Sequence, residues 1–330
     1  MSLVSIITPT KNRRTLLCST LDSVSEQDFK SWEHIIVDDG STDGTEEEVT
    51  RRAMLDPRIR YVKRTSTRSG ANVCRNLGVR ESRGDLIIFL DSDDLLSPYC
   101  LSNRVEALLR NPGLDFAVFP GWVFSEKLGD LGTRLFSPRT IGNDLDRFLY
   151  LDHPWEITGP IWRRTALERL GCFADHLPSW QDVDLHIRAL IAGMKYQKSQ
   201  TPDHHIRWQN DPTRTSQKQF RVPEHLQSGI GIVKDFERRL LDAGLITSVR
   251  RRALAGLIFL LAERWVAGGY FRRGLRVWFH ALSMRLASPQ LCCFGILVLL
   301  IYRLKIFKPA YNERLLERFK CLVHFREQLA

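Results

Sequence analysis

Two kinds of hydrophobic pattern alternate over the first hundred residues. Short apolar runs rich in β-branched side chains, LVSIIT from Leu3, EHIIVDD from Glu33, RIRYV from Arg58 and LIIFLD from Leu86, each predict a strand. Between them Leu16, Leu17, Leu21 and Val24 recur at helical spacing, and residues 46–54 and 71–83 carry the same periodicity. Strands that alternate with helices predict an α/β fold built on a parallel, doubly wound sheet. Ligands of such sheets bind beyond the carboxyl ends of the strands. Three of those ends are polar here, TPTKN from Thr8, DDGSTDGT from Asp38 and DSDD from Asp91, so they predict one shared crevice.

Further along, Leu101 to Arg110 predicts a helix, and LDFAVF, GWVF and ITGPIW predict shorter strands that extend the same sheet. Residues 181–192 place Val183, Ile187, Leu190 and Ile191 on one helix face. Asp182 and Asp184 stand near its start, the positive end of the helix dipole. From Leu226 the pattern is helical throughout, with basic faces at Arg250 to Arg252 and at Arg272, Arg273 and Arg276, and a turn at Gly268 and Gly269. A boundary near Pro223 follows, giving an α/β domain over 1–222, with halves of about 1–97 and 98–222, and a basic helical region over 223–330.

Composition narrows the class. The chain has 330 residues, 43% hydrophobic and 26% charged, which excludes a disordered protein. Its net charge of +10 is uneven: from Arg238 onward 17 Lys or Arg face 5 Asp or Glu, so the basicity belongs to the helical region. No base-stacking module accompanies it, and nucleic acid is not an expected partner. The 7 cysteines are scattered, odd in number and without CxxC spacing, which predicts a reduced, cytoplasmic protein. The longest apolar run, Leu291 to Tyr302, falls short of the roughly 20 residues of a bilayer span, so no transmembrane helix is expected.

The densest chemical signal is FLDSDD, where Asp91, Asp93 and Asp94 end an apolar strand. Carboxylates at this spacing repel one another and lose solvation, so they call for water, a cation or a hydrogen-bonded ligand. As an alternative they cap the next helix. In VDDGSTDGT the turn aims acids at the crevice, or Asp43 caps a helix, with Asp38 in a structural role.

In this order VSIITPTKN, IIVDDGSTDGT, SGANVCRNLGV and GDLIIFLDSDD resemble the opening domain of family 2 glycosyltransferases with the GT-A fold, over residues 3 to about 216. The segment GPIWRRTALERLGCFADHLPSWQDVDLHIRALIAG is similar to that family's acceptor side, with Gln181 in place of the first of two acids. The resemblance implies an inverting transferase that uses a nucleotide-diphospho-sugar, UDP-linked in the commonest case, and Mn²⁺ or Mg²⁺. By resemblance Thr8, Pro9 and Thr10 line the base pocket, Asp39 meets the nucleobase, and Arg75 beside Asn76 lies near the nucleotide. Asp91 meets the ribose with Ser92 beside it, Asp93 holds the metal, and Asp94 supports the loop or ligates through water. Asp182 is the expected base, with the alternative that it only caps its helix.

Trp180, Gln181, His205, Arg207 and Trp208 are further candidates for acceptor or diphosphate contacts. HHIRW has His where the processive synthases' QxxRW has Gln, and packing of His and Trp against the sheet is the competing account. Cys74 replaces Ala in the ARN-like triplet. The expected acceptor is a glycan or lipid-linked glycan of cell-surface polysaccharide synthesis. A non-catalytic sugar-nucleotide scaffold is the rival class. A processive synthase should carry several membrane spans, and a sugar nucleotidyltransferase should have a Gly-rich loop where TPTKNRR has no Gly. The segments LIFLLAERWVAGGYF and LCCFGILVLLIYRLKIF either lie on an anionic membrane surface, peripheral on its inner face, or pack on the catalytic domain or a second copy of the chain.

Overall fold

Val4–Thr10 forms strand β1, buried at every position, and parallel partners flank it on both edges: β2 (Trp32–Asp38) and β4 (Leu86–Phe89). The computed structural model describes residues 2–137, 142–209 and 222–304, together with Leu316 and Phe319. β3 (Ile59–Lys63) pairs in parallel outside β2. Helices α1 (Arg14–Ser25), α2 (Thr45–Leu55) and α3 (Ala71–Glu81) make the crossovers, which is why the strands read as continuous apolar runs. On α1 the periodic Leu17, Leu21 and Val24 are buried, joining Val4, Ile6, Trp32 and Ile88 in one core with α4 (Cys100–Arg110).

The sheet has seven strands in the order β3-β2-β1-β4-β8-β6-β9, adding β6 (Phe116–Val118), β8 (Pro160–Arg163) and β9 (Tyr196–Lys198). It is parallel except where β8 runs against β4 and β6. LDFAVF and ITGPIW thus extend the sheet as expected, but GWVF does not. It forms β7 (Gly121–Phe124) in a second sheet of order β5-β10-β7, with β5 (Leu95–Leu96) and β10 (His204–Arg207). Pro120 has no N–H to continue the β6 ladder, so the chain leaves the first sheet there.

By their internal contacts the residues fall into two units: Met1–Thr140, Pro154–His176 and Gly193–Asn210 in the first, Ile141–His153, Leu177–Ala192 and Asp211–Ala330 in the second. The first holds both sheets and α6 (Arg164–Leu170). Pro223, the expected boundary, is the first residue of α8 (Pro223–Asp242). Two earlier segments also cluster with the helical unit, carrying α5 (Asp144–Leu149) and α7 (Gln181–Ile191).

The second unit is built around α9 (Ser248–Ala267), most of whose residues are buried. Arg250 Nε on α9 donates to Asp146 Oδ1 on α5 at 2.6 Å. α10 (Phe271–Ser283) lies close against α9: a Cβ on Gly274 would come 2.5 Å from Val266 Cγ2. Trp278 Nε1 on α10 donates to the Cys292 carbonyl of α11 (Pro289–Leu304) at 2.9 Å. Among the described residues no helix is long and apolar enough to cross a membrane.

Candidate active site

The loops after β1 and β2 are laced together. Asn12 N donates to Ser41 Oγ at 2.9 Å, Asn12 Oδ1 accepts from Thr42 N at 2.8 Å, and Asp43 Oδ2 accepts from Arg14 N at 2.9 Å. Of the residues expected around the base, Thr8 is fully buried and its hydroxyl meets His34 Nε2 at 2.9 Å. Pro9 pairs with Val37 inside the sheet. Thr10 ends the strand, and its buried hydroxyl has no hydrogen-bond partner among the described residues.

The two acids after β2 divide their roles. Asp38 holds its own turn, accepting from Ser41 Oγ at 2.6 Å and from the Tyr61 hydroxyl at 2.7 Å. Asp39 gathers cations: its carboxylate accepts from Arg64 Nε, lies 3.8 Å from Lys11 Nζ and accepts the Gly70 N–H at 3.2 Å. Gly70 has φ +120°, a backbone state that L side chains rarely adopt, so the N–H can reach Asp39 because this residue is glycine. β3 delivers Arg64, since its register sets Lys63 beside Asp38.

The acids after β4 are also differentiated. Asp91 Oδ1 accepts from Arg75 Nη2 at 2.7 Å, with 35% of the Asp91 side chain exposed and 6% of Arg75. Arg75 lies on α3, which Asn76 pins through bonds to the Phe173 carbonyl at 2.9 Å and Asp175 Oδ1 at 2.6 Å. Ser92 is buried in the turn. Asp93 Oδ2 stands 3.9 Å from Arg13 Nη1. Asp94 is fully inside, accepting from Arg207 N at 2.9 Å and Thr158 Oγ1 at 3.3 Å. Burial, then the charges of Asp93, Asp91 and Glu156, push its carboxyl well above the usual carboxylate range.

The HHIRW strand is β10 with the residue after it. Arg207 braces the acidic turn: Nε donates to the Asp93 carbonyl at 3.1 Å and Nη1 to the Ser125 carbonyl at 3.1 Å. His205 stacks on Trp122 at 5.0 Å, and burial pushes its imidazole down to about 4. Trp208 is 56% exposed, so packing accounts for the histidine but not for this tryptophan. Behind them His204 joins a buried network, with Nδ1 2.9 Å from Asp203 Oδ1 and Nε2 2.6 Å from Glu156 Oε1. Burial opposes its charge, but the two carboxylates outweigh burial and raise its pKa. Arg104 completes the network with a bidentate grip on Asp203 at 2.8 and 2.7 Å.

The remaining candidates lie in the second unit, on the first turn of α7. Trp180 is buried and precedes the helix at φ 57°, a left-handed backbone state, and Gln181 Nε2 donates to the Pro178 carbonyl at 3.4 Å. Asp182 is half-buried in the first turn of that helix. Asp184, two residues on, is buried and paired with Arg188 at 2.9 Å.

The structure thus brings Thr10, Asp39, Arg75, Asp91 and Asp93 to the strand ends, turns Thr8 inward and makes Arg207 a brace. Sequence reading missed Lys11, Arg13 and Arg64 as partners of the acids. Lys11 and Arg13 were visible as the basic residues of TPTKNRR; Arg64 depends on register between strands and had no local signal.

Residues 5–171 match the model of the family described as glycosyl transferase family 2. Over 144 residues the chain is 34% identical to the GalNAc(5)-diNAcBac-PP-undecaprenol beta-1,3-glucosyltransferase of Campylobacter jejuni, covering 44% of this chain and 45% of that one. The match therefore spans less than half of that relative's length. The fold is that of S. aureus TarS 1-349, crystallised with UDP-GlcNAc, at TM-score 0.63, 16% identity and 92% coverage of this chain and of that fragment. It is also shared with the mannosyltransferase PcManGT from Pyrobaculum calidifontis, solved with GDP-Man and Mn²⁺, at TM-score 0.51 and 18% identity over 99% of this chain and 87% of that one. The expected GT-A architecture is thereby found.

Proposed function

The chain belongs to glycosyl transferase family 2, and from that premise we propose that it moves a sugar from a nucleotide-diphosphate donor, a UDP-sugar, to a hydroxyl of a glycan or lipid-linked glycan in cell-surface polysaccharide synthesis, inverting the anomeric centre. One observation carries the reading: acids and cations are paired around the strand ends, Asp39 with Arg64 and Lys11, Asp91 with Arg75, and Asp93 with Arg13. A nucleoside diphosphate presents hydrogen-bond donors on its base and ribose and negative oxygens on its phosphates. Carboxylates suit the first, and guanidinium groups suit the second.

Asp93, with Asp91 beside it, would hold Mn²⁺ or Mg²⁺. The donors are carboxylate oxygens, which suit hard cations. Among the described residues no group of three or more metal-ligating side chains occurs. Mg²⁺-type binding uses one or two carboxylates, completed by substrate phosphates and water. When bound, the cation neutralises charge on the departing diphosphate.

The acceptor hydroxyl oxygen bonds to the anomeric carbon as that carbon's bond to the phosphate oxygen breaks. The nucleoside diphosphate leaves with the electron pair, and the hydroxyl proton passes to the Asp182 carboxylate. A single displacement inverts the centre. Arg75 orients Asp91, Asp94 and Arg207 keep the turn in place, and exposed Trp208 offers a face on which an acceptor sugar can stack.

The test is a panel of UDP-, GDP- and dTDP-sugars with and without Mn²⁺, read first as a rise in unfolding midpoint and then as transfer to a glycan acceptor. Stabilisation by one donor class with metal-dependent transfer of one sugar per acceptor is expected. Donor binding without turnover, acceptor and metal supplied, would overturn the proposal in favour of a scaffold.

A further inference from the structure

The second unit contains a cleft of about 890 Å³ at the start of α10 and the end of α11, remote in sequence from every residue of the acidic turns. Four arginines line it, Arg272, Arg273 and Arg276 from α10 and Arg303 from the last turn of α11, beside the apolar Tyr270 and Leu304. None of the four has a carboxylate partner among the described residues; Arg273 instead lies over the Trp265 ring at 4.3 Å. Arg272 and Arg273 stand in the first turn of α10, where the dipole is already positive and acids are the favourable choice, yet that turn has no acid and no side-chain cap. Guanidinium groups gathered at a helix N-terminus repel one another, and an anion relieves them all at once.

The rim says which anion. Tyr270 and Leu304 are 53% and 65% exposed, and the outward faces of the two helices add Phe279 and Leu297. Exposed apolar side chains on both helices, aliphatic as well as aromatic, suit a ligand whose phosphate is joined to an extended apolar body. A phospholipid has both parts, a charged headgroup and an apolar body below it. The opposite faces of these helices are fixed, since Val277, Trp278 and Ala281 are buried and Gly295 sits so close to Trp278 that a Cβ would come 2.5 Å from Nε1. The arginine-bearing face therefore cannot turn inward without unpacking the bundle.

We propose that this cleft binds the phosphate of an anionic membrane lipid, with Arg272, Arg273, Arg276 and Arg303 on the headgroup and Tyr270 and Leu304 in the interfacial layer. The site goes beyond the transferase reading and does not depend on it.

The experiment is co-flotation of the full chain with vesicles of phosphatidylcholine alone or mixed with phosphatidylglycerol. Binding to the mixed vesicles and not to the neutral ones is expected. Arg272→Gln with Arg276→Gln should lower the partition coefficient roughly fivefold for each arginine removed. A matched control, Arg51→Gln with Arg110→Gln, removes the same charge from exposed positions of α2 and α4 and should bind like the wild type. Far-UV circular dichroism and the unfolding midpoint should be unchanged in both. Equal loss in the two double variants would show that net charge alone attracts the membrane and would overturn the site. So would equal binding to neutral vesicles, or release from the mixed vesicles by millimolar glycerol phosphate, which would make the ligand a free phosphate compound.

Discussion

The Arg207 amide donates to Asp94 Oδ1 at 2.9 Å, joining residues 113 positions apart, so the end of β10 holds the turn that follows β4. Arg207 reinforces the link by reaching the Asp93 carbonyl with its own guanidinium. The acidic turn is therefore shaped by a strand at the far end of the catalytic unit's sequence, and its innermost acid is the one whose carboxyl is pushed up by burial and by its acidic neighbours.

That upward shift fixes a pH dependence. A carboxyl whose pKa is raised on folding stabilises the fold fully below its unfolded pKa, about 3.9, and the contribution is lost as pH rises through the folded value. Burial, with Asp93, Asp91 and Glu156, raises Asp94, so its contribution should decline from about pH 4 upward. Asp94→Asn copies the protonated form and should remove this decline, matching or exceeding the wild type at pH 8. Urea unfolding of both proteins at pH 4.5, 6 and 8 checks it; parallel pH curves would refute a protonated Asp94.

Packing under the site gives a second expectation. A Cβ on Gly78 of α3 would lie 2.3 Å from Ile7 Cγ2 on β1, closer than real Cβ contacts come. Gly78→Ala should gain about 1 kcal/mol in helix propensity yet lose about 1–3 kcal/mol to overpacking. Because Arg75 rides on the same helix, the donor KM should rise as α3 shifts. A stabilised variant with an unchanged donor KM would contradict the close seating of α3 on β1.

Much of this was legible in the sequence because strands covered on both faces read as unbroken apolar runs, and because β1, β2 and β4 each end in polar residues that water or ligand must meet. Asp39, Asp91 and Asp93 could be placed from that alone. The second sheet could not: Leu95–Leu96 is two residues long and carries no periodicity, and its partner His204–Arg207 is found only after folding. The cations escaped for a similar reason. Arg64 meets Asp39 through the β2–β3 register, and Arg104, Asp203, His204 and Glu156 form one network from three distant segments. Thr8 lay in a correctly read strand but two residues short of its end, so its hydroxyl meets His34 of the neighbouring strand inside the sheet, while Thr10 is the residue that ends the strand.

The Arg75–Asp91 pair should govern donor affinity. Hydrogen bonds to charged groups contribute about 1.5–3 kcal/mol, and each 1.4 kcal/mol is tenfold in affinity. Arg75→Lys keeps the charge but loses the planar fork, so the donor Kd should rise about ten- to a hundredfold by titration calorimetry, with kcat at saturating donor much less affected. An unchanged Kd would remove Asp91 from the donor contacts.

Asp93 should separate metal use from folding. Asp93→Asn keeps the shape of the side chain and deletes its charge, so the Mn²⁺ concentration for half-maximal activity should rise and kcat should fall about 10²–10³-fold. The unfolding midpoint in metal-free buffer should not fall, since a repulsive neighbour of Asp91 has been neutralised. Wild-type metal response would assign the cation to other residues.

The two acids of α7 provide the sharpest contrast, since they sit two residues apart with opposite surroundings. Asp184 is buried against Arg188 at 2.9 Å, and removing its charge breaks a buried ion pair, so Asp184→Asn should lower stability while leaving kcat near that of the wild type. Asp182 is half-buried in the first turn of α7, so Asp182→Ala should change the unfolding midpoint far less than Asp184→Asn does. If it is the base, kcat should fall about 10²–10⁴-fold with the donor KM unchanged. Added formate, small enough to occupy the space of the lost carboxylate, should then restore part of the rate. A helix-capping role predicts the reverse, a lowered midpoint and no response to formate, so the two measurements together decide whether Asp182 takes the acceptor's proton.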